Sequence, residues 1–402
     1  MKILMLGAGI EQCIAIRKAK DLGYFVIACD ANPNAAGFAI ADSSIVVGLR
    51  DVAELIDISR NNRIDGLFCH AVEIPDVVAR IATELRLPGL DPSIADLCTN
   101  KKERIEALKC AGIPVADYVI VRSREELNTV SPEFGFPLVL KPIDNAGSRG
   151  VKLVKQRSEL FTAYDEALHY TKNGMVLLEQ YLQGPQISTE SVVYDGAIHT
   201  FAFADRNYAR QDLFAPYFIE DGINYPSTIS EGLQAAVLHL VERTIRVLGI
   251  NFGAAKGDIV IHNQTPYIIE MASRTSGGWF GAGSIPAATG IDALKPLLQM
   301  SMGEEPDINA LTPTRHLGCA QRYWIPTRNS IYHSVFGLDQ IKNLPGVESF
   351  DAFFPETGTQ LVRARHHAQR YAQVICTGKD RVEAISRAEA AIQAIQVNQT
   401  IL

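Results

Sequence analysis

The stretch that most constrains this chain is Phe136 to Val154. An apolar run, Leu138-Val139-Leu140, closes at Lys141-Pro142; the polar segment Asp144 to Gly150 follows, and a second alternating strand begins at Val151. The pattern predicts a hairpin with a long tip. Gly147 and Gly150 free the backbone to aim successive N–H groups at one point, a concavity that suits polyphosphate oxygens, and Lys141 would place a positive charge at its base. Taken alone, the stretch is equally an ordinary hairpin with a polar tip, so the remainder of the chain must decide.

A length of 402 residues predicts two or three domains, each able to bury a core. The chain is 47% hydrophobic and 21% charged, the balance of a globular protein. A net charge of -7 and a pI near 5.8 argue against a nucleic-acid surface, which needs a basic face, and no nucleic-acid partner is expected. No apolar run approaches the roughly 20 residues that span a bilayer, so no membrane partner is expected. Met1 to Gly7 runs directly into a strand-turn pattern with too short an apolar core for a signal peptide. The seven cysteines (Cys13, Cys29, Cys69, Cys98, Cys110, Cys319, Cys376) show no paired spacing and read as reduced thiols of a cytoplasmic protein.

In order, the chain opens with a βαβ pattern: a strand over Lys2 to Leu6, the turn Gly7-Ala8-Gly9, a helix over Glu11 to Leu22, and a strand from Phe25 that ends near Asp30. Strands at Ile45 to Val47 and Gly66 to Cys69, with helices near Val52 to Arg60 and Ile74 to Leu85, continue it, predicting a parallel sheet with helices on its faces. Gly7-x-Gly9 with Asp30 about 20 residues on suggests a dinucleotide fingerprint, hence an NAD(P)-dependent oxidoreductase. Gln12, however, stands where the third glycine should allow close packing, which demotes that reading. The turn could instead face a small polar substrate.

A helix is expected from Pro92 to Cys110, where Lys101 and Lys102 are either solvated charge or phosphate contacts. Val176 to Leu182 ends a strand in Glu179-Gln180-Tyr181-Leu182, which could expose backbone groups to a purine edge or simply half-bury a tyrosine. Ala254 to Ile261 and Pro266 to Glu270 form two strands joined at His262 to Thr265 and should pair antiparallel. Asp258 and Glu270 would then meet on one face. Such a carboxylate pair suits an intervening cation, with hard oxygen ligands favouring magnesium or manganese. Arg274 follows, with a fork suited to a phosphoryl or carboxylate oxygen.

These pieces occur in one order after a nucleotide-like domain, which makes coincidence the poorer account. The chain resembles the ATP-grasp superfamily, in the branch of biotin carboxylase, carbamoyl-phosphate synthetase and the L-amino-acid ligases, over nearly its whole length. The motifs that carry it are Gly7-Ala8-Gly9 with Gln12 and Asp30 to Pro33, Asn100-Lys101-Lys102 before Ala111 to Pro114, Val139 to Pro142 with its glycine loop, Ile268 to Glu270 with Arg274, and Ala288 to Asp292. The resemblance implies an α/β and α+β fold: a Rossmann-like pre-ATP-grasp domain over 1–92, a two-part ATP-grasp domain over 93–311 with a nucleotide lid at about 115–185, and a C-terminal subdomain over 312–402.

It also implies roles. Lys101 and Lys141 would contact ATP phosphates, and the loop Asn145 to Gly150, with Gly147 and Ser148, would fold over them. Glu179 and the backbone of Gln180 and Leu182 would read adenine beside Tyr181, and Gln186 would meet the ribose. Asp258 and Glu270 would bind Mg2+ or Mn2+; relatives often carry an Asn where this chain has Ala272, which puts a second metal ion in doubt. Arg274 and Lys141 would be catalytic. For the substrate, Glu73, Glu190, Arg206, Gly277 and Gly278 are candidates, with Arg210 beside Arg206 able to bind a substrate carboxylate; Glu73 and the two arginines are equally readable as solvated charge. Tyr217 to Ser227 is expected to be a loop covering the site. His366 and His367 read as solvated.

The implied reaction is ATP-dependent activation of a small-molecule carboxylate as an acyl phosphate and its capture by an amine, by a cytoplasmic enzyme with the family habit of homodimers. A carboxylase or thiol-acceptor ligase would use the same nucleotide site. A nucleotide-binding regulatory protein that has lost turnover is a third class.

Overall fold

The computed structural model describes residues 1–130 and 133–402; Ser131 and Pro132, inside the expected lid, lie outside the described residues. Four parallel strands open the chain, β1 (Lys2–Leu6), β2 (Phe25–Asp30), β3 (Ser43–Val46) and β4 (Gly66–Cys69), in the order β3-β2-β1-β4. Both faces are covered. Ile3, Met5, Val26 and Ala28 pack one way, and Leu4, Leu6, Ile27 and Cys29 the other, which is why β1 and β2 read as unbroken apolar runs rather than alternating ones. The helix Leu294–Ser301 adds Leu294, Leu297, Leu298 and Met300 to the first of these faces. Val192 and Ala254 join the same cluster from the central sheet, so one core binds the two sheets together.

The second sheet contains β5 (Tyr118–Val121), β6 (Leu138–Pro142), β7 (Lys152–Val154) and β8 (Val176–Gln180) in the order β5-β8-β6-β7, all antiparallel. The expected hairpin is therefore β6 and β7. Leu138 and Leu140 are buried under the helix Leu160–Leu168 through Leu160, Ala163, Tyr164 and Ala167. The two-residue pleat turns Val139 and Lys141 to the opposite face.

The largest sheet has eight strands, β9 (Gln186–Tyr194), β10 (Ala197–Arg206), β11 (Ile223–Tyr225), β12 (Gly253–His262), β13 (Thr265–Ala272), β14 (Gly318–Trp324), β16 (Val347–Ala352) and β18 (Ala372–Gly378). Their order is β13-β12-β9-β10-β11-β14-β18-β16, so strands on both sides of residue 311 share one sheet. A small sheet of β15 (Ser330–Phe336), β17 (Gln360–Leu361) and β19 (Gln396–Ile401) lies beside it in the order β17-β15-β19.

Three local expectations are corrected. The helix expected over Pro92 to Cys110 is two helices, Pro92–Thr99 and Lys101–Cys110, divided at Asn100. The Asn100 side chain accepts from the Lys102 and Glu103 N–H groups and donates to Glu103 at 2.8 Å, which starts a new helix there. Within Tyr217 to Ser227, expected as loop throughout, Ile223–Tyr225 pairs as β11. The first helix begins at Cys13 rather than Glu11, because Ile10 to Gln12 extend the turn. No helix among the described residues is long and apolar enough to cross a membrane.

Candidate active site

A cleft of about 1070 Å3 opens between the second sheet and the eight-stranded sheet, with the β4 loop and the Gly9 turn closing one end. Every expected site residue lines it except Gly150 and Glu190. Gly150 serves the hairpin itself: it has φ +72°, and a Cβ there would stand 2.8 Å from the Pro142 ring. Glu190 lies beneath the cleft, 2% exposed, accepting from the Ser276 hydroxyl, with Gly281 pressed against its carboxylate. Arg210 is also outside, paired with Asp221 at 2.7 Å.

At the hairpin end, Lys141 on β6 and Glu179 on β8 point into the cleft and pair at 2.7 Å, diagonal neighbours across the two strands. The Lys101 ammonium donates to the Asn145 carbonyl. Burial, reinforced by Arg104 and Lys141, pushes the Lys101 ammonium down to about 8 despite Glu270. Gly147 and Ser148 have φ of 66° and 60°, so the loop tip curls through two successive left-handed residues. The Asn145 side chain donates to the Tyr170 carbonyl at 2.6 Å, and the His367 N–H donates to the Gly147 carbonyl at 3.1 Å, tying the loop to the C-terminal segment. Tyr181 leans on Phe218, ring centres 5.9 Å apart.

In the cleft floor Asp258 and Glu270 stand directly opposite each other on β12 and β13. Ser188 donates to Asp258 at 2.9 Å and Arg206 reaches it at 2.5 Å. Lys256, two residues along β12 and on the same face, contacts Asp258 and lies 3.8 Å from Glu270, while Arg104 lies 3.5 Å from Glu270. Burial alone would raise both carboxyls. The cations outweigh it: Arg206 and Lys256 hold Asp258 below the usual carboxylate range, and Lys256, Arg104 and Lys101 hold Glu270 far below it. Two ionised carboxylates facing one point are the hard oxygen donors a divalent cation takes. They fit magnesium or manganese once the Lys256 ammonium swings aside, with water and phosphate oxygens completing the shell. Ala272, buried opposite Lys256, offers no further oxygen.

Arg274 follows β13 and donates through Nε to Glu73 at 2.5 Å and through Nη1 to the Thr275 carbonyl at 3.0 Å. Burial opposes its charge, but Glu73 and Glu270 hold the guanidinium protonated. Glu73 is thus an ion-pair partner in the cleft rather than a solvated helix start. Arg206, bridging Asp258 and Glu220, is likewise no surface arginine.

The dinucleotide reading meets a filled site. Gln12, 9% exposed, lies over Gly7 and Gly9 and donates to the His70 carbonyl at 3.0 Å. Asp30 accepts from the Ala8 and Asn32 N–H groups, both at 2.8 Å, so its carboxylate is spent on the turn. The histidine expectation also changes. His367 lines the cleft, accepts from the Glu220 N–H at 3.4 Å, and is held well below its ordinary value by burial and by Arg370.

Arg104, Lys256, Glu11 and Arg370 line the cleft without having been picked out from sequence. Two had a signal: Arg104 is one turn on from Lys101, and Lys256 alternates with Asp258 on its strand. Glu11 and Arg370 had none.

With that geometry in hand, comparison with known proteins is specific. Residues 107–277 match the family model of the D-ala D-ala ligase C-terminus, and residues 322–399 match L-amino acid ligase C-terminal domain 2. These matches, on this fold, support an ATP-grasp carboxylate–amine ligase, an enzyme that forms carbon–nitrogen bonds. It is 25% identical to the uncharacterized protein y4rH of Sinorhizobium fredii, over 86% of this chain and 70% of that one. To a formate-dependent phosphoribosylglycinamide formyltransferase of Prochlorococcus marinus it is 32% identical, over 45% of this chain and 47% of that enzyme. The match thus spans only about half the length of such formyltransferases. In fold it resembles the L-amino acid ligase of Bacillus licheniformis (TM-score 0.84, 19% identity, 99% and 98% of the two chains). It also resembles the biotin carboxylase domain of the Hydrogenobacter thermophilus 2-oxoglutarate carboxylase, solved as a dimer with MgADP, ADP and bicarbonate (TM-score 0.75, 18% identity, 99% and 91%).

Proposed function

We propose that this protein is an ATP-dependent ligase that activates a small-molecule carboxylate as an acyl phosphate, joins it to an amine, and releases ADP and phosphate. The observation that carries the reading is the Asp258–Glu270 pair in the floor of a cleft that also receives Lys101, Lys141 and the glycine loop. A carboxylate resists amine attack because its oxide is a poor leaving group, so the protein's work is charge neutralisation and alignment. Lys101, Lys141 and the N–H groups of 145–150 would hold phosphate oxygens; Glu179 to Leu182 would hold the base and Gln186 the ribose. Asp258 and Glu270 would carry the divalent cation, which when bound offsets charge on the transferring phosphoryl group. Arg274, fixed by Glu73, would steady the oxyanion of the acyl phosphate and of the tetrahedral adduct formed by the amine.

An amino acid on at least one side of the new bond is supported by the L-amino acid ligase and D-alanine–D-alanine ligase relatives. Seven free cysteines fit a reducing, cytoplasmic setting, and a homodimer is in keeping with the dimeric carboxylase domain. The test is Glu270→Gln. Loss of ADP formation with unchanged circular dichroism is expected, and turnover near the wild-type rate overturns the site. Screening amino acids, small carboxylic acids, bicarbonate and thiols for ADP release separates an amine ligase from a carboxylase or thiol ligase.

A further inference from the structure

Two charged groups in the cleft, Glu11 and Arg370, make no salt bridge among the described residues. Glu11, on the N-terminal turn, accepts the Trp279 N–H at 3.0 Å and has no lysine, arginine or histidine nitrogen bridging it. Arg370, in the C-terminal segment, lies over the Tyr323 ring with its guanidinium carbon 4.2 Å from the ring centre. It donates to the Glu220 carbonyl at 2.5 Å, while its buried Nε finds no acceptor and no carboxylate bridges it. Arg274 and Arg206, in the same cleft, each already face a carboxylate. Leaving a desolvated charge unmatched is costly, and a ligand of opposite charge relieves the cost.

The two groups flank one dipeptide. A Cβ on Gly277 would stand 3.6 Å from Glu11 Oε1, and one on Gly278 would stand 3.9 Å from Arg370 Nη1 and 2.8 Å from the Tyr323 hydroxyl. Gly278 also has φ +71°, so a side chain there is strained as well as obstructed. The result is a notch with bare backbone as its floor, an acid on one rim and a guanidinium on the other. Trp279 and Phe353, stacked at 6.4 Å, wall one side.

We propose that Glu11 and Arg370 are the specificity residues for the substrate whose carboxylate is not activated: Glu11 receives the ammonium of an amino acid and Arg370 its carboxylate. The assignment rests on the ligase reading above and adds the pair that would read the acceptor. A carboxylate seated on Arg370 has its own counter-charge, separate from Arg274, and so is set apart from the phosphoryl-transfer position. The planar guanidinium, preoriented by Tyr323, matches a carboxylate in two parallel hydrogen bonds.

Calorimetric titration of the full-length chain with Mg·ADP present, using the twenty L-amino acids, identifies the tightest binder. Its amide lacks the carboxylate, and its N-acetyl derivative lacks the ammonium. The wild type should bind each analogue at least tenfold more weakly than the amino acid. Arg370→Met should lose at least tenfold for the amino acid while leaving the amide unchanged, with Arg370→Lys recovering part of the loss. Glu11→Gln should do the same with respect to the N-acetyl derivative. Equal effects of either variant on amino acid and analogue, or no binding by any of the twenty when Mg·ADP binds normally, overturn the proposal. Failure of the wild type to bind Mg·ADP overturns the nucleotide site itself, a separate result.

Discussion

The Nε of Arg274 lies 2.5 Å from Oε2 of Glu73, joining residues 201 positions apart in the chain. Glu73 follows β4 of the first sheet and Arg274 follows β13 of the largest, so the guanidinium proposed to bind the oxyanion is aimed by a carboxylate from another layer. Arg274→Met should lower the rate of ADP formation about a hundredfold, the roughly 3 kcal/mol typical of one preorganised donor. Glu73→Gln keeps the hydrogen bond but not its charge, and should cost about tenfold. Nucleotide affinity should stay within about twofold in both. Steady-state kinetics with a separate binding titration checks this, and a change confined to nucleotide affinity would move Arg274 out of the reaction.

Lys256 bridges the two carboxylates expected to carry metal. A resident ammonium competes with an incoming divalent ion for the same oxygens. Lys256→Met should therefore bind Mn2+ without nucleotide at least about tenfold more tightly than wild type, and lower the melting temperature of the metal-free protein, because the two facing carboxylates lose the one cation that contacts both. Spin-resonance titration of free Mn2+ reads the first effect and calorimetry the second.

Lys101, held at about 8 by burial, gives a pH signature. Its ordinary value is 10.5, so between about 8 and 10.5 the unfolded chain binds more protons than the fold, and stability attributable to this residue rises with pH. Nucleotide affinity should move the opposite way, weakening as pH climbs past 8 and the ammonium discharges. In Lys101→Arg, which stays charged, the affinity curve should be flat from pH 7 to 9.

Glu190 has the reverse chemistry. Burial lifts its carboxyl from 4.5 to about 7, against the Ser276 hydrogen bond and the Arg274 charge. The folded chain therefore binds the extra proton between those values. Its contribution is fully present below pH 4.5 and is lost as pH rises through 7, a change on the order of 3 kcal/mol. Urea unfolding of Glu190→Gln should show that slope removed, with the variant gaining on wild type at pH 8 relative to pH 5.

What the sequence made legible follows from how local each signal is. The hairpin at Leu138 to Val154 and the facing of Asp258 and Glu270 depend on strand period and turn position, and both are found as expected. Asn100 was readable as a helix start from Asn100-x-x-Glu103, but the apolar periodicity running through it hid the break. Glu190 shares a strand face with the cleft residues Gln186 and Ser188, and only the layer packed on it, Ser276 and Gly281, decides that it is covered. His366 and His367 look like a solvated pair because nothing nearby in sequence shows that β18 brings them against the glycine loop. Arg370 and Glu11 lie 359 residues apart in numbering, and no one-dimensional pattern connects them.

The eight-stranded sheet changes how the last ninety or so residues should be regarded. β11 and β14 are joined through just two residue pairs, Asn224 with Ala320 and Tyr225 with Cys319, yet that seam completes the sheet and brings Tyr323 and Arg370 to the cleft. Deleting everything after residue 311 would strip β11 of its neighbour and present raw backbone edges to solvent, an invitation to aggregate. Shortened expression products ending there should fail as insoluble material, whereas a protease nick in the same linker should leave both fragments travelling as one.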